Sequence, residues 1–230
     1  MLLEANQLAG YYQTPVGAAV QAVIADRLVR FWPQVKGLRL LGYGYALPYL
    51  QGWAGQAERA VALVPAQIGV PPEPAAAALG QEDALPFADA FFDRILIVHG
   101  LEGAENARAF LRQVWRVLAP EGRIVVVAPN RVSPWALAEC SPFACGRPFR
   151  KSELDALLRD ALLEPVAWER ALYPPPQLIG SVRTVPWREK LGRRILPCFA
   201  GVLMVEAKKT IYGVTPLREV KKAATMLVGA

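Results

Sequence analysis

The sequence predicts an α/β domain with a mostly parallel sheet covered by helices on both faces, and three observations carry that prediction. The segments "FDRILIVHG" and "RIVVVAPN" are continuous apolar runs without polar alternation, the pattern of strands buried on both sides. Between them, "ENARAFLRQVWRVLAPEG" repeats apolar residues at helical spacing, and a strand–helix–strand order implies parallel pairing. Upstream, "LRLLGYG" runs an apolar strand into a glycine turn. In such doubly wound sheets, ligands bind beyond the carboxyl ends of the strands, where the strand order reverses.

Taken in order, Val16 to Trp32 has helical periodicity, ended by Pro33 and Gly37. "LRLLGYG" is a short buried strand, "PYLQGWAGQA" a helix, and "RAVALVPAQ" a second strand stopped at Pro65. The proline-rich stretch "IGVPPEPAAAALGQEDALPF" is a loop, with a short strand over Ala76 to Leu79. In the following helix Ala107, Phe110, Leu111, Val114 and Leu118 share a face, and Pro120 with Gly122 stops it. "KSELDALLRDALL" opens with Ser152 as N-cap and Asp155 three residues on, an approximate capping box. "EPVAWERALY" and "GVLMVEAKK" are strand-like.

A chain of 230 residues is long enough to bury a core without disulfides or structural metals. Cys140, Cys145 and Cys198 lack CxxC spacing and His99 is the sole histidine, so no disulfide framework and no metal site is expected. The apolar segments fall short of the roughly 18–20 residues of a membrane helix. "MLLEANQLAGYY" has no basic n-region, so a cytoplasmic location is expected. The net charge of +6 gathers after Arg147, in "RPFRK", "REKLGRR" and two "KK" pairs. These are read as solvated surface, and no nucleic-acid partner is expected.

Gly42 and Gly44 let the chain turn tightly and approach a ligand without a Cβ in the way. The dinucleotide fingerprint needs a third glycine close behind, where Tyr45-Ala46-Leu47 stand, and an acid ending the second strand, where Val64-Pro65 stand. Glu58 lies at the wrong end of that strand. A nicotinamide enzyme does not fit.

The order of the pieces resembles the class I S-adenosylmethionine-dependent methyltransferases, in particular those acting on small molecules. The resemblance rests on Asp83-Ala84-Leu85-Pro86-Phe87, on Phe92-Asp93 opening a strand, and on Arg116-Val117-Leu118-Ala119-Pro120-Glu121-Gly122. It implies a Rossmann-like seven-stranded sheet in the order 3-2-1-4-5-7-6, with "GVLMVEAKK" as the inserted antiparallel strand and helices on both faces. It also implies one domain over 1–212: an N-terminal helical cap over 1–34, a cofactor half over 35–130, and a substrate half over 131–212. A basic tail follows over 213–230. By the same resemblance, Gly42, Tyr43 and Gly44 would contact the cofactor's methionine end, and Asp83, Ala84 and Leu85 its adenine. His99 would face the transferred methyl group, as a candidate base.

Three departures gather on one ligand. Leu40 stands where the family has an acid, Ala46 at the third glycine, and Val64-Pro65 at the ribose carboxylate. A carboxylate accepting such hydroxyls contributes on the order of 1.5–3 kcal/mol, so S-adenosylmethionine binding would be weakened or lost. Gln67 is a partial substitute. Tyr43 and Tyr45 either line the pocket or plug it. Two readings follow: a methyltransferase acting on a small molecule, or a non-catalytic relative that serves as a binding or scaffolding module for a protein partner. Neither the acceptor nor the oligomeric state is legible.

Overall fold

The computed structural model describes residues 4–69, 77–138, 141–179 and 184–211. The expected tail over 213–230 and Cys140 lie outside the described residues.

The chain opens with α1 (Ala5–Gln13) and α2 (Pro15–Phe31). Thr14 separates them: its side chain accepts from Gly17 N at 3.0 Å as N-cap of α2, and Pro15 occupies the first turn, where no N–H is needed. Then come β1 (Arg39–Gly44), a single helical turn α3 (Leu47–Leu50), β2 (Arg59–Pro65), β3 (Ala77–Gly80) and β4 (Phe92–Val98). The second half holds α4 (Ala107–Val117), β5 (Leu118–Pro129), α5 (Lys151–Asp160), β6 (Leu163–Ala171), α6 (Val185–Ile195) and β7 (Val202–Lys209).

The strands form one seven-stranded sheet in the order β3-β2-β1-β4-β5-β7-β6. Neighbours from β3 to β5 pair in parallel, and β7 runs antiparallel to both β5 and β6. The apolar strands feed two cores. Leu40, Leu96, Val98, Val125 and Val127 pack with Val20, Ile24 and Leu28 of α2 on one face. Leu41, Tyr43, Ile95, Ile97 and Val126 pack with Phe110, Leu111 and Val114 of α4 and Leu154 of α5 on the other. Strands buried on both sides need no polar alternation, which is why the sequence reads so plainly there.

Polar ties hold the layers in register. Asp93 accepts from Arg39 N at 2.9 Å and from Arg39 Nε at 3.2 Å, locking the starts of β4 and β1 together. The buried Glu206 of β7 accepts from Trp32 Nε1 at 3.1 Å and from Arg123 at 2.9 Å, pinning the end of α2 to the sheet. Arg116 donates to the carbonyls of Leu85 and Phe87, both at 2.8 Å, and to Asp89 at 2.6 Å. The arginine that opens the "RVLAPEG" segment therefore shapes the "LPF" loop directly.

Local expectations needed correction. The helix expected over "PYLQGWAGQA" is one turn; residues 51–58 continue as turns. Pro120 and Gly122 do not stop α4, which ends at Val117, because Leu118 passes straight into β5 beside Phe92. Ser152 is not the N-cap of α5. Arg150 holds that place, and Glu153 rather than Asp155 closes the box by accepting from Arg150 N at 2.9 Å.

Candidate active site

The carboxyl ends of β1 and β4 meet at Gly44. Its φ is +79°, and a Cβ there would stand 2.2 Å from the Val98 carbonyl oxygen, so only glycine lets Tyr45 N reach that oxygen at 2.7 Å. A Cβ on Gly42 would lie 2.6 Å from Leu50 Cδ1. Both glycines thus allow close packing of the chain on itself, and Gly44 also borders a cavity of about 250 Å³. The same cavity is lined by Tyr45, Leu47, Gln51 and Val64, and by Gln13 and Gln21 from the N-terminal helices.

At the end of β4 stands His99, buried and with φ at +51°. Left-handed backbone is costly for a residue with a Cβ and tends to persist where the surroundings enforce it. Here both ring nitrogens are engaged. Nδ1 lies 3.1 Å from Glu102 Oε1 and Nε2 lies 2.8 Å from the Tyr12 hydroxyl. Tyr49 OH donates to Tyr12 OH at 3.4 Å. A carboxylate only accepts, so Nδ1 carries the proton and Nε2 accepts from Tyr12. The result is a one-directional chain, Tyr49 to Tyr12 to His99 to Glu102. Burial raises the Tyr12 phenol well above its ordinary value, with the neighbouring Tyr49 adding to the effect. Tyr12 therefore stays protonated, as a donor must.

α1 lies across this end of the sheet. Tyr12 stacks on Tyr45 with ring centroids 5.0 Å apart. Leu8 packs on Val64 and Ile68 at the carboxyl end of β2. The remaining space beside His99, Glu102 and Cys145 is about 20 Å³, room for a single water. The cleft is shut.

The residues expected at the site fall in different places. Gly44 lines the cavity, whereas Gly42 is buried beneath α3. Tyr43 turns its ring to the opposite face, 4.3 Å from Phe110, and is not among the residues lining that cavity. Leu40 is fully buried against the α2 side. Asp83 and Ala84 are exposed in the loop after β3, and Leu85 is buried among the α4-side core. Gln67 is exposed. Sequence reasoning missed Glu102 and the pairing of Tyr12 with His99. An acid three residues after a strand-end histidine was a readable signal; a contact across 87 residues was not. Among the described residues, no group of three or more His, Cys, Asp or Glu side chains could hold a metal.

Residues 42–126 match the family model described as a methyltransferase domain. The match is confined to those residues; the strand order and the inserted antiparallel strand are the fold of the class I S-adenosylmethionine-dependent methyltransferases. Among particular relatives, it is 32% identical over 150 residues to a demethylmenaquinone methyltransferase of Beutenbergia cavernae, covering 64% of this chain and 55% of that protein. It is 31% identical over 120 residues to the Streptomyces avermitilis protein of the same name, covering 50% and 45%. The chain spans about half the length of these curated relatives. A solved 1,6-didemethyltoxoflavin-N1-methyltransferase of Burkholderia thailandensis, with its substrate and S-adenosylhomocysteine bound, superposes with a TM-score of 0.56 at 17% identity. That likeness covers 86% of this chain and 80% of that one, and concerns the fold alone.

S-adenosylmethionine is the group this superfamily implies. At the glycine turn the residues fit it: a cavity with amide side chains runs beside Gly44. At β2 they withhold a grip, since Val64 offers no acceptor and is covered by Leu8.

Proposed function

We propose that this chain is an S-adenosylmethionine-dependent methyltransferase of a small molecule, with His99 as the base that receives the acceptor's proton. The observation that carries the reading is the directed Tyr12–His99–Glu102 chain at the end of β4, next to the glycine turn. Gly44, Gln51 and the loop of Asp83 to Leu85 would hold the cofactor, whose sulfonium supplies an electrophilic methyl group. Tyr12 occupies His99 Nε2 while α1 is closed. Outward movement of α1 would open the cleft and free that nitrogen together. Nε2 would then accept the proton lost by an acceptor hydroxyl or ring carbon, and Glu102 would stabilise the imidazolium. The relatives' names favour an acceptor of the quinone class, an apolar ring compatible with the Leu8, Ile68 and Phe143 surroundings of His99.

Calorimetric titration with S-adenosylhomocysteine tests the cofactor half of the proposal, and absence of heat at millimolar ligand would sink it. Transfer of labelled methyl to a demethylated quinone tests the rest. His99→Ala should keep S-adenosylhomocysteine binding and lose roughly a hundred-fold or more in rate.

One observation favours a second reading, a non-catalytic binding module: the β2 end is sealed by Leu8, Val64 and Ile68. If Leu8→Ala, which unseals it, still binds no cofactor, the second reading stands.

A further inference from the structure

α6 has two unlike sides. Its inner side is anchored: Val185 and Glu189 are buried, and Glu189 accepts from Tyr173 N at 2.8 Å and Leu172 N at 3.3 Å. Its outer side carries Trp187, Leu191 and Ile195, which are 56%, 48% and 62% exposed. Spaced four apart, they form one stripe along the helix. Leu196 and Phe199 extend it, 48% and 45% exposed, and Leu178 of the preceding turn is 58% exposed. Single exposed apolar residues are ordinary, but a contiguous set signals a contact surface.

The charges beside the stripe are of one sign. Arg188 lies on one flank, its guanidinium 5.4 Å from the Trp187 ring centroid. Lys190 and Arg194 lie on the other flank and Arg193 beyond them, all exposed. The helix has one acid, Glu189, and it points inward. A second copy of this chain would bring one basic helix against another and is disfavoured. A nucleic acid would meet the basic flanks but leave the aliphatic stripe unburied. A bilayer with anionic headgroups satisfies both, with the apolar stripe at the acyl boundary and the cations among the phosphates.

We propose that α6 and the turn over 196–199 dock this protein onto an anionic lipid surface. Asn130, just beyond β5, donates to the carbonyls of Cys198 at 3.1 Å and Ala200 at 2.8 Å. The docking face is thereby fixed to the end of the sheet that holds His99, so a lipid-soluble acceptor would meet the site from the membrane side. No helix among the described residues is long and apolar enough to cross a membrane. The docking inference rests on α6 and the turn over 196–199 and is independent of methyl transfer; only the acceptor's route to the site rests on the proposed function.

The full chain is mixed with vesicles of phosphatidylcholine plus phosphatidylglycerol, or of phosphatidylcholine alone, and sedimented. It should pellet with the anionic vesicles and be released by salt. Trp187 is the most exposed tryptophan among the described residues, so binding should shift the emission to the blue. Trp187→Phe should still pellet but lose most of that shift. Arg193→Ser and Arg194→Ser should each weaken binding roughly fivefold, and Leu191→Ser with Ile195→Ser should abolish it while circular dichroism stays unchanged. Should that pair unfold the chain, the two arginine variants still decide the matter. The proposal is overturned by failure to bind either vesicle or by equal binding of all variants. It is equally overturned if Leu191→Ser dissolves a dimer of a chain that ignores lipid, or if an oligonucleotide rather than the vesicles retains the protein.

Discussion

At Gly44, one hydrogen atom in place of a methyl group decides whether two strand ends can meet. Gly44→Ala would drive a Cβ to 2.2 Å from the Val98 oxygen at a φ of +79°. It is expected to lower stability by at least about 2 kcal/mol in denaturant unfolding. Gly10→Ala is the control, because a Cβ there meets nothing within 4 Å and should stabilise α1 by about 0.5–1 kcal/mol. Equal losses at both positions would contradict the packing argument. Tyr12→Phe removes both the donor to His99 Nε2 and the acceptor of Tyr49. Leaving these buried groups unpaired should cost about 1–3 kcal/mol. His99 itself was identifiable as the lone histidine ending an apolar strand. Its partner Tyr12 was not, because nothing local links residues 87 apart.

Among the elements, α1 covers the strand ends that hold His99 and Val64. It lies within the helical cap expected over 1–34 but has no expectation as a helix of its own, since its periodicity is short and Thr14-Pro15 runs it directly into α2. Its placement gives one substitution two effects of opposite sign. Leu8 is 3% exposed against Val64 and Ile68, so Leu8→Ala should cost about 2–5 kcal/mol of stability. The same change vacates space at the β2 end and should tighten S-adenosylhomocysteine binding. Loss of stability without any gain in affinity would show that α1 does not compete with the cofactor. The α3 and α5 corrections have different causes, close packing for α3 and a capping box that starts two residues earlier for α5. Leu50 must seat against Gly42, and Glu153 is held by both Arg150 N and Arg131, the latter at 2.7 Å.

For the whole molecule, acid should be the weak direction. Burial alone would raise the Asp93 carboxyl, but the hydrogen bonds from Arg39 outweigh it and hold the group below its ordinary value. Glu153 is likewise held low, chiefly by Arg150 N. In both, the unfolded chain takes up protons first, so their contribution is complete above the unfolded values of about 4 and is lost as pH falls through the lower folded ones. Glu189 works in the opposite sense, because burial raises it, and it softens the fall. The thermal midpoint should therefore be level above about pH 5 and decline below about pH 4. Asp93→Asn should flatten that decline; an unchanged slope would remove Asp93 from the account.

The strands and their succession were legible because a sheet covered on both faces asks only for unbroken apolar runs, a property of composition that needs no partner to be recognised. The motifs from Asp83 to Gly122 were legible by their resemblance to a known family, and the structure brings two of them together, since Arg116 donates to the "LPF" loop. Tertiary structure decided what the tyrosines do. Tyr43 and Tyr45 are two apart, which in an uninterrupted strand puts both on one face. The left-handed turn at Gly44 breaks that alternation. It sends Tyr43 onto Phe110 on the α4 side and Tyr45 under Tyr12 at the cleft. The sequence determined that a glycine turn sits at the end of the first strand. Only the positive φ at that turn, forced by the Val98 carbonyl, determined which ring faces the cleft.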